Sequence, residues 1–422
     1  MSYSKRMLDQ LEKGQLKEAK KSFIWALRKD DDETLYNLAE ELYGLGFNKR
    51  AQRIYEKLLQ SYPDDDDLKA NLAEIAIDDD DNDRALNYLT SIRPDSDNYL
   101  QSLLVAADLY QTEGELEVSE SKLQEAYRLA PDEPAVLFAN AELYYLMGNF
   151  ERAIPYYFAL IQKGYTEFAK VDLAGRLGMS YAQSGHYEQA LGYFKQVAPI
   201  KQNSDLRFQM GMTQLHLKDY QAAEDSLNAL IESEPDYASA YPQLAAALEG
   251  QAKDDEALKV MQEGLGVDQY NEQLFMMAGQ LADRLGHPDL ASQYLIKAHQ
   301  LNPDSITITL ALSQHLLLQG RHRDNLDLLL PLINQDEVDP QVEWNLARSY
   351  QAMDQDDQAG KFYQAAALAL KDDSQFLHDY ADWARQSGDP ATEKGILKHY
   401  VKLVPTDTEM LQRFDELTDE GF

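Results

Sequence analysis

Leu177–Val197 reads LGMSYAQSGHYEQALGYFKQV. Gly178 and Tyr181 share one face of a first short helix, and Gly185 ends it, because glycine takes the left-handed backbone that a helix C-terminus often needs. Ala190, Phe194 and Val197 follow at i, i+4 and i+7, the buried stripe of a second helix. Small Gly178 and Ala190 let the two helices approach, and Tyr181 and Phe194 fill the space around that contact. The stretch predicts a helix–turn–helix.

The same pattern recurs along the chain, at Ala19, Ala51, Ala85, Ser119, Ala153, Ala190, Ala223, Ala257, Ala291, Asn325, Ala359 and Glu393. Successive steps are 32, 34, 34, 34, 37 and 33 residues, and 34 thereafter. The turn position holds Gly14, Gly46, Gly114, Gly148, Gly185, Gly286, Gly320 and Gly388, and Pro63, Pro131, Pro235, Pro303 and Pro405 close units. A fixed period of this length marks a repeat array, in which each unit buries its apolar face only against its neighbours.

The pattern resembles the tetratricopeptide repeat family, whose unit is a 34-residue helix–turn–helix, and the resemblance covers nearly the whole chain. It implies an all-α, right-handed superhelical α-solenoid of about twelve units. In general character the chain resembles the bacterial cytoplasmic tetratricopeptide proteins of the YpiA type. We divide it into units one to five (1–165), units six to twelve (166–405, continuous with the first half) and a C-terminal capping helix and tail (406–422). The capping helix is expected over Thr406–Leu417, with Met410, Leu411, Phe414 and Leu417 covering the last apolar face.

Local departures carry further expectations. Asp64–Asp67 sits where a helix should start, where carboxylates cap free amides and meet the positive end of the dipole. Asp78–Asp81 replaces the glycine turn. A calcium loop starting at Asp78 would need glycine sixth and glutamate twelfth, but the chain has Asp83 and Leu89 there. Pro155 is placed in the first turn of its helix. The 37-residue step puts an insertion near 164–168, where we expect a change of pitch or a junction between two halves. Pro331 should kink the second helix of unit ten.

Composition narrows the function. With 73 acidic and 39 basic residues the formal charge is −34, a field that repels nucleic-acid phosphates and anionic lipid surfaces and favours basic or mixed-charge protein partners. No cysteine is present, which excludes disulfides, thiolate catalysis and cysteine-based metal sites. No 18-residue apolar run occurs, so a cytoplasmic protein is expected, without direct membrane insertion. The histidines are scattered, and the one close pair, His315 and His322, flanks the turn at Gly320 with no carboxylate cluster implied beside it. No phosphate-binding loop or nucleophile elbow appears. We expect no enzyme activity and no cofactor or metal.

In the family the first helices line a concave groove that holds a peptide or partner helix. By register, candidate groove residues are Glu33, Asn37, Glu40, Asp67, Asn71, Glu74 and Asp108 in units two to four, an acidic stretch. Arg176, Met179, Gln209 and Met212 make a mixed patch further on. Met276 and Gln280 follow, and Trp344, Asn345 and Arg348 lie in unit eleven, with packing onto unit ten the competing role for Trp344. Asn37 and Asn71 are 34 residues apart, and each amide has a donor and an acceptor for a partner's main chain. The carboxylate-clamp branch of the family requires a lysine where this chain has Tyr36 and Ala70, and an asparagine where it has Glu40 and Glu74, so an acidic tail is not the expected ligand. The expected function is a non-enzymatic protein–protein interaction scaffold. The alternatives are a peptide-sensing or sequestering regulator, without a DNA-binding domain since unit one begins at about residue 5, and a cytoplasmic assembly factor recruited to the cell envelope.

Overall fold

The structure is a computed structural model that describes residues 2–334 and 338–419. Residues 420–422 of the expected tail lie outside the described residues. Helices pair in chain order. Units one to three are α1 (Tyr3–Glu12) with α2 (Leu16–Lys29), α3 (Asp32–Gly44) with α4 (Asn48–Ser61), and α5 (Asp66–Asp78) with α6 (Asn82–Thr90). Units four to six are α7 (Tyr99–Thr112) with α8 (Leu116–Leu129), α9 (Pro134–Leu146) with α10 (Phe150–Gln162), and α11 (Leu173–Gln183) with α12 (Tyr187–Phe194). Units seven to nine are α13 (Ser204–His216) with α14 (Tyr220–Ser233), α15 (Ala240–Glu249) with α16 (Asp254–Val267), and α17 (Glu272–Arg284) with α18 (Pro288–Leu301). Units ten to twelve are α19 (Ile306–Leu318) with α20 (His322–Leu329), α21 (Pro340–Ala352) with α22 (Asp356–Ala366), and α23 (Ser374–Gln386) with α24 (Pro390–Leu403), followed by α25 (Thr408–Asp419). The chain is an α-solenoid and divides into two compact units, Met1–Leu206 and Arg207–Phe422.

Steric fit at the small positions holds each pair together. Ala19, Ala51, Ala85, Ala153, Ala190, Ala223, Ala257, Ala291 and Ala359 are all fully buried. A Cβ on Gly178 would lie 2.5 Å from the Phe194 ring and 3.3 Å from the Ala190 carbonyl. The same close approach recurs at Gly279, where the added atom would lie 2.6 Å from Leu295. Tyr181 stacks on Tyr193 with ring centres 5.6 Å apart.

The three departures from alanine are buried as well, and each has a polar partner. Ser119 accepts from Gln111 Nε2 at 3.2 Å. Asn325 donates to Ser349 Oγ at 2.8 Å and to the Asn345 carbonyl at 3.3 Å. Glu393 accepts from Arg413 Nη2 at 2.7 Å and Nε at 2.9 Å. A buried polar group without such a partner would cost about 1–3 kcal/mol.

The turns follow the glycine pattern, and four non-glycines complete it. Asp80, Lys218, Ala252 and Asp354 take φ of 57°, 59°, 58° and 56°, beside 79° at Gly185. Asp65 caps α5 by accepting from Leu68 N at 3.1 Å. Its neighbour Asp66 turns inward instead, to Lys69 at 2.7 Å and Arg93 at 3.1 Å. The run expected to cap the helix does so through Asp65 and also contains one internal strut.

Two local expectations are corrected, and the insertion is located. Pro155 lies inside α10, past the first turn, and is tolerated because Pro155 and Glu151, whose carbonyl loses its partner, both lie on the exposed side. Pro331 does not kink a continuous helix: α20 stops at Leu329 and a 3-10 segment, Leu330–Asn334, takes its place. The insertion is a small antiparallel hairpin, β1 (Glu167–Phe168) with β2 (Val171–Asp172), inside the first compact unit. Its two turn residues, Ala169 and Lys170, both have positive φ, 45° and 67°, as a type I′ turn requires. Phe168 packs against Phe138 with ring centres 4.9 Å apart, which ties the hairpin to α9.

Candidate functional site

The acidic candidates lie on the first helices of units two to four. Glu33, Asn37, Glu40, Asp67, Glu74 and Asp108 are exposed, and Asn71 is half-buried. Leu35, Leu38, Leu72 and Ala73, on the opposite side of the same helices, are buried. Asn71 Nδ2 donates to the Tyr36 hydroxyl at 3.1 Å, and Tyr36 meets Tyr55 edge-on at 5.7 Å. Burial, followed by the carboxylates of Glu40, Asp67 and Asp65, pushes the Tyr36 phenol up. Burial, the hydrogen bond to Asp78 and the charges of Asp78 and Glu74 push Tyr43 up to about 12. Glu74 itself is held above the usual carboxylate range, first by the protein that displaces water around it and then by Asp78. The carboxylates thus converge on a tyrosine-floored face. Among the described residues none of Glu33, Glu40, Glu74 and Asp108 forms an ion pair. Asp67 accepts from Asn98 Nδ2 at 2.5 Å. Asp78, the first residue of the second aspartate run, accepts from the Tyr43 hydroxyl at 2.9 Å and from Asn48 at 3.4 Å.

Arg176 and Met179 are half-buried on α11. They line a cavity of about 350 Å³ with Tyr145, Asp172, Gly175 and Lys201. The Arg176 guanidinium lies 4.3 Å from the centre of the Tyr145 ring and pairs with Glu142 at 3.2 Å. Gln209 and Met212, on α13 in the second compact unit, are half-buried too.

Met276 is corrected. It is 8% exposed and packs with Leu295, Ile308 and Leu312, so it belongs to the core, while Gln280 on the same helix is exposed. Trp344 and Asn345 are also buried, at 6% and 1%. Trp344 packs onto unit twelve, not unit ten: its ring meets Phe376 edge-on at 5.7 Å and its Nε1 donates to Asp379 at 3.1 Å. Asn345 donates to Ser313 Oγ at 2.8 Å. Arg348 stays half-exposed and pairs with Asp379 at 3.5 Å. These residues border a cavity of about 410 Å³ across α19, α21 and α23, with Gln314, Gln341 and Gln375 on its walls. The glutamines and Asp379 were missed in the sequence, although the repeat signals them: Gln341 and Gln375, and Asn345 and Asp379, are 34 residues apart.

His315 does have a carboxylate beside it. Its Nδ1 lies 2.8 and 2.7 Å from the two Asp283 oxygens, and its Nε2 lies 2.7 Å from Ser292 Oγ. The order serine–histidine–aspartate is that of a hydrolase triad. Ser292 sits inside α18, however, where neighbouring amides are spent on helix hydrogen bonds, so no donor pair faces its Oγ as an oxyanion hole would. The imidazole is 1% exposed, and it acts as a strut between α17, α18 and α19.

Comparison with known proteins agrees with this architecture. Residues 340–407 match the family described as YpiA-like, C-terminal tetratricopeptide repeats, and residues 111–165 match YpiA-like, tetratricopeptide repeats. Residues 42–107 and 272–305 match general tetratricopeptide repeat families. The chain is 30% identical over 396 residues to the TPR repeat-containing protein YpiA of Bacillus subtilis (strain 168), covering 93% of this chain and 92% of the relative. Among solved structures, Cut9 with Hcn1 of the APC/C is 13% identical with a TM-score of 0.43, covering 97% of this chain and 95% of that one. Yeast Tom70 is 15% identical with a TM-score of 0.40, covering 99% and 94%. Among the described residues no helix is long and apolar enough to cross a membrane.

Proposed function

The chain belongs to the YpiA-like family of tetratricopeptide repeat proteins, and from that premise we propose that it is a non-enzymatic cytoplasmic scaffold whose first helices in units two to four hold a basic protein segment. Tetratricopeptide proteins are in general protein-interaction scaffolds; the partner's chemistry is our reading. One observation carries it: Glu33, Glu40, Glu74 and Asp108 face solvent, and among the described residues none of them is paired with a cation. A bound lysine- or arginine-rich segment would relieve that repulsion. Tyr36 and Tyr43 supply amphipathic surface beneath it, and Asn37 and Asn71 have amide groups for its main chain. Charge complementarity of this kind sets on-rate and partner choice more than raw affinity.

The test is a pull-down from the host lysate at low and moderate salt, comparing the parent with Glu40→Lys/Glu74→Lys. A stoichiometric basic partner, weakened by salt and lost from the variant, supports the reading. A partner retained by the variant overturns it and points to the second compact unit, where the cavity beside Arg348 and Gln341 is the next surface to vary.

A further inference from the structure

The chain's charge is not evenly spread. Helix α2 carries Lys17, Lys20, Lys21, Arg28 and Lys29 against the single acid Glu18, within a protein of formal charge −34. Its buried side is Ala19, Ser22, Phe23 and Ala26. On the other side Leu16, Lys20 and Ile24 form one i, i+4 row, and Lys17, Lys21, Trp25 and Arg28 form the next. All seven are exposed, the three apolar ones at 58% for Leu16, 41% for Ile24 and 46% for Trp25. Trp25 is held in place by stacking on Tyr3, ring centres 6.0 Å apart. Among the described residues none of the five α2 cations forms an ion pair. In α4 the bias continues, with Lys49, Arg50, Arg53 and Lys57 against Glu56 alone, and Glu56 is occupied by Arg84.

We infer that the outer face of α2 is a docking surface for an anionic lipid membrane. Interleaved lysine, arginine, tryptophan and aliphatic side chains are the composition of interfacial helices, whose cations meet headgroups while the aromatic and aliphatic groups enter the acyl boundary. A soluble polyanion would satisfy the cations but leave Leu16, Ile24 and Trp25 in water. The overall negative charge does not forbid the contact, because charges more than about 8 Å away are screened at physiological salt. The contact is peripheral and requires no spanning segment. It is independent of the groove reading, since it uses the second helix of unit one.

The experiment is flotation of the full chain with phosphatidylglycerol-containing vesicles and with phosphatidylcholine vesicles, read together with tryptophan emission. Trp344 and Trp383 are buried, at 6% and 8% exposed, so Trp25 dominates any response. The expected result is flotation with the anionic vesicles only, lost in high salt, with a blue shift that is absent from Trp25→Phe. Each basic residue near such a surface is worth about fivefold in affinity, so Lys17→Glu/Lys21→Glu/Arg28→Glu should weaken binding by about a hundredfold or more, while Lys17→Arg/Lys21→Arg/Arg28→Arg binds as the parent does. All these positions are exposed, and circular dichroism verifies the fold of each variant. No flotation overturns the inference. So does binding to DNA or polyglutamate as tight as to vesicles with no emission shift, which would make the face a polyanion site. Concentration-dependent self-association abolished by the triple reversal, without vesicle binding, would make it a contact with a second copy.

Discussion

Arg413→Leu tests how the array is closed. Arg413 is 6% exposed and projects from α25 into unit twelve. Its Nη2 and Nε donate to Glu393 at 2.7 and 2.9 Å, its Nη1 donates to Asp382 at 2.6 Å, and Nη2 also reaches the Ala381 carbonyl at 3.3 Å. Asp382, with 38% of its side chain exposed, can rehydrate when the guanidinium is removed; Glu393, at 6%, cannot. Removing one partner of a buried pair costs about 3–5 kcal/mol, which corresponds to a few-hundredfold to a few-thousandfold rise in local opening. Glu393→Ala/Arg413→Leu restores the alanine of the repeat pattern and removes both charges, so it should return to within about 1 kcal/mol of the parent or exceed it. Because stability in such arrays is a sum of unit and interface contributions, the assay is amide hydrogen exchange over α23 to α25, with urea unfolding as support. A single variant that changes protection less than tenfold, or a double variant as unprotected as the single, would refute the reasoning.

Gly178→Ala should destabilise unit six by about 1–3 kcal/mol through overpacking, because the new Cβ meets Phe194 at 2.5 Å; urea unfolding of Gly178→Ala with and without Phe194→Leu measures both the loss and its rescue. Lys170→Gly should stabilise the hairpin by about 1 kcal/mol, since a non-glycine at φ of 67° pays a left-handed penalty, read as increased protection of residues 167–172. Burial raises the Asp66 carboxyl, but the hydrogen bonds and charges of Lys69 and Arg93 outweigh it and hold it below the ordinary carboxylate range. A depressed carboxylate contributes stability that is present above the unfolded value near 3.9 and lost as pH falls through the folded value. Acid unfolding of Asp66→Asn should therefore lose part of the slope below about pH 4 that the parent shows.

The sequence made the periodic part of this fold legible because one steric requirement recurs in most of its units. Ala190 and its equivalents, and the turn at Gly185, repeat at a spacing that few other folds need. Asp80 was readable as a turn because it occupies a glycine's slot in that count. The hairpin at 167–172 was not readable: Ala169-Lys170 lacks the Asn-Gly chemistry that announces a type I′ turn. Side chains at the margin of the buried stripe were also ambiguous. Met276 and Gln280 occupy neighbouring turns of one helix, and only packing against Leu295 and Ile308 decides which enters the core. Asp283 was missed beside His315, and Arg413 beside Glu393, because each partner lies a repeat or most of one away. Arg413 was passed over in favour of the apolar Met410, Phe414 and Leu417 around it.

A chain of near-identical links faces a sorting problem that an ordinary domain does not. Any second helix with alanine at the contact can accept any first helix with a small residue opposite, so a skipped or exchanged unit loses little hydrophobic burial. Asn325 and Glu393 make two of the joints unlike the rest. If the helix after Asn325 were any but α21, its amide would be sealed in without Ser349. If Glu393 were covered by anything but α25, a carboxylate would be sealed in without Arg413. Such residues act as keys cut for one lock: they add little to the correct assembly and tax the incorrect ones heavily. Moving the Asn325–Ser349 or Glu393–Arg413 pair to another joint should therefore carry the order of assembly with it, which gives designers of repeat arrays a way to write sequence order into modules that otherwise look alike.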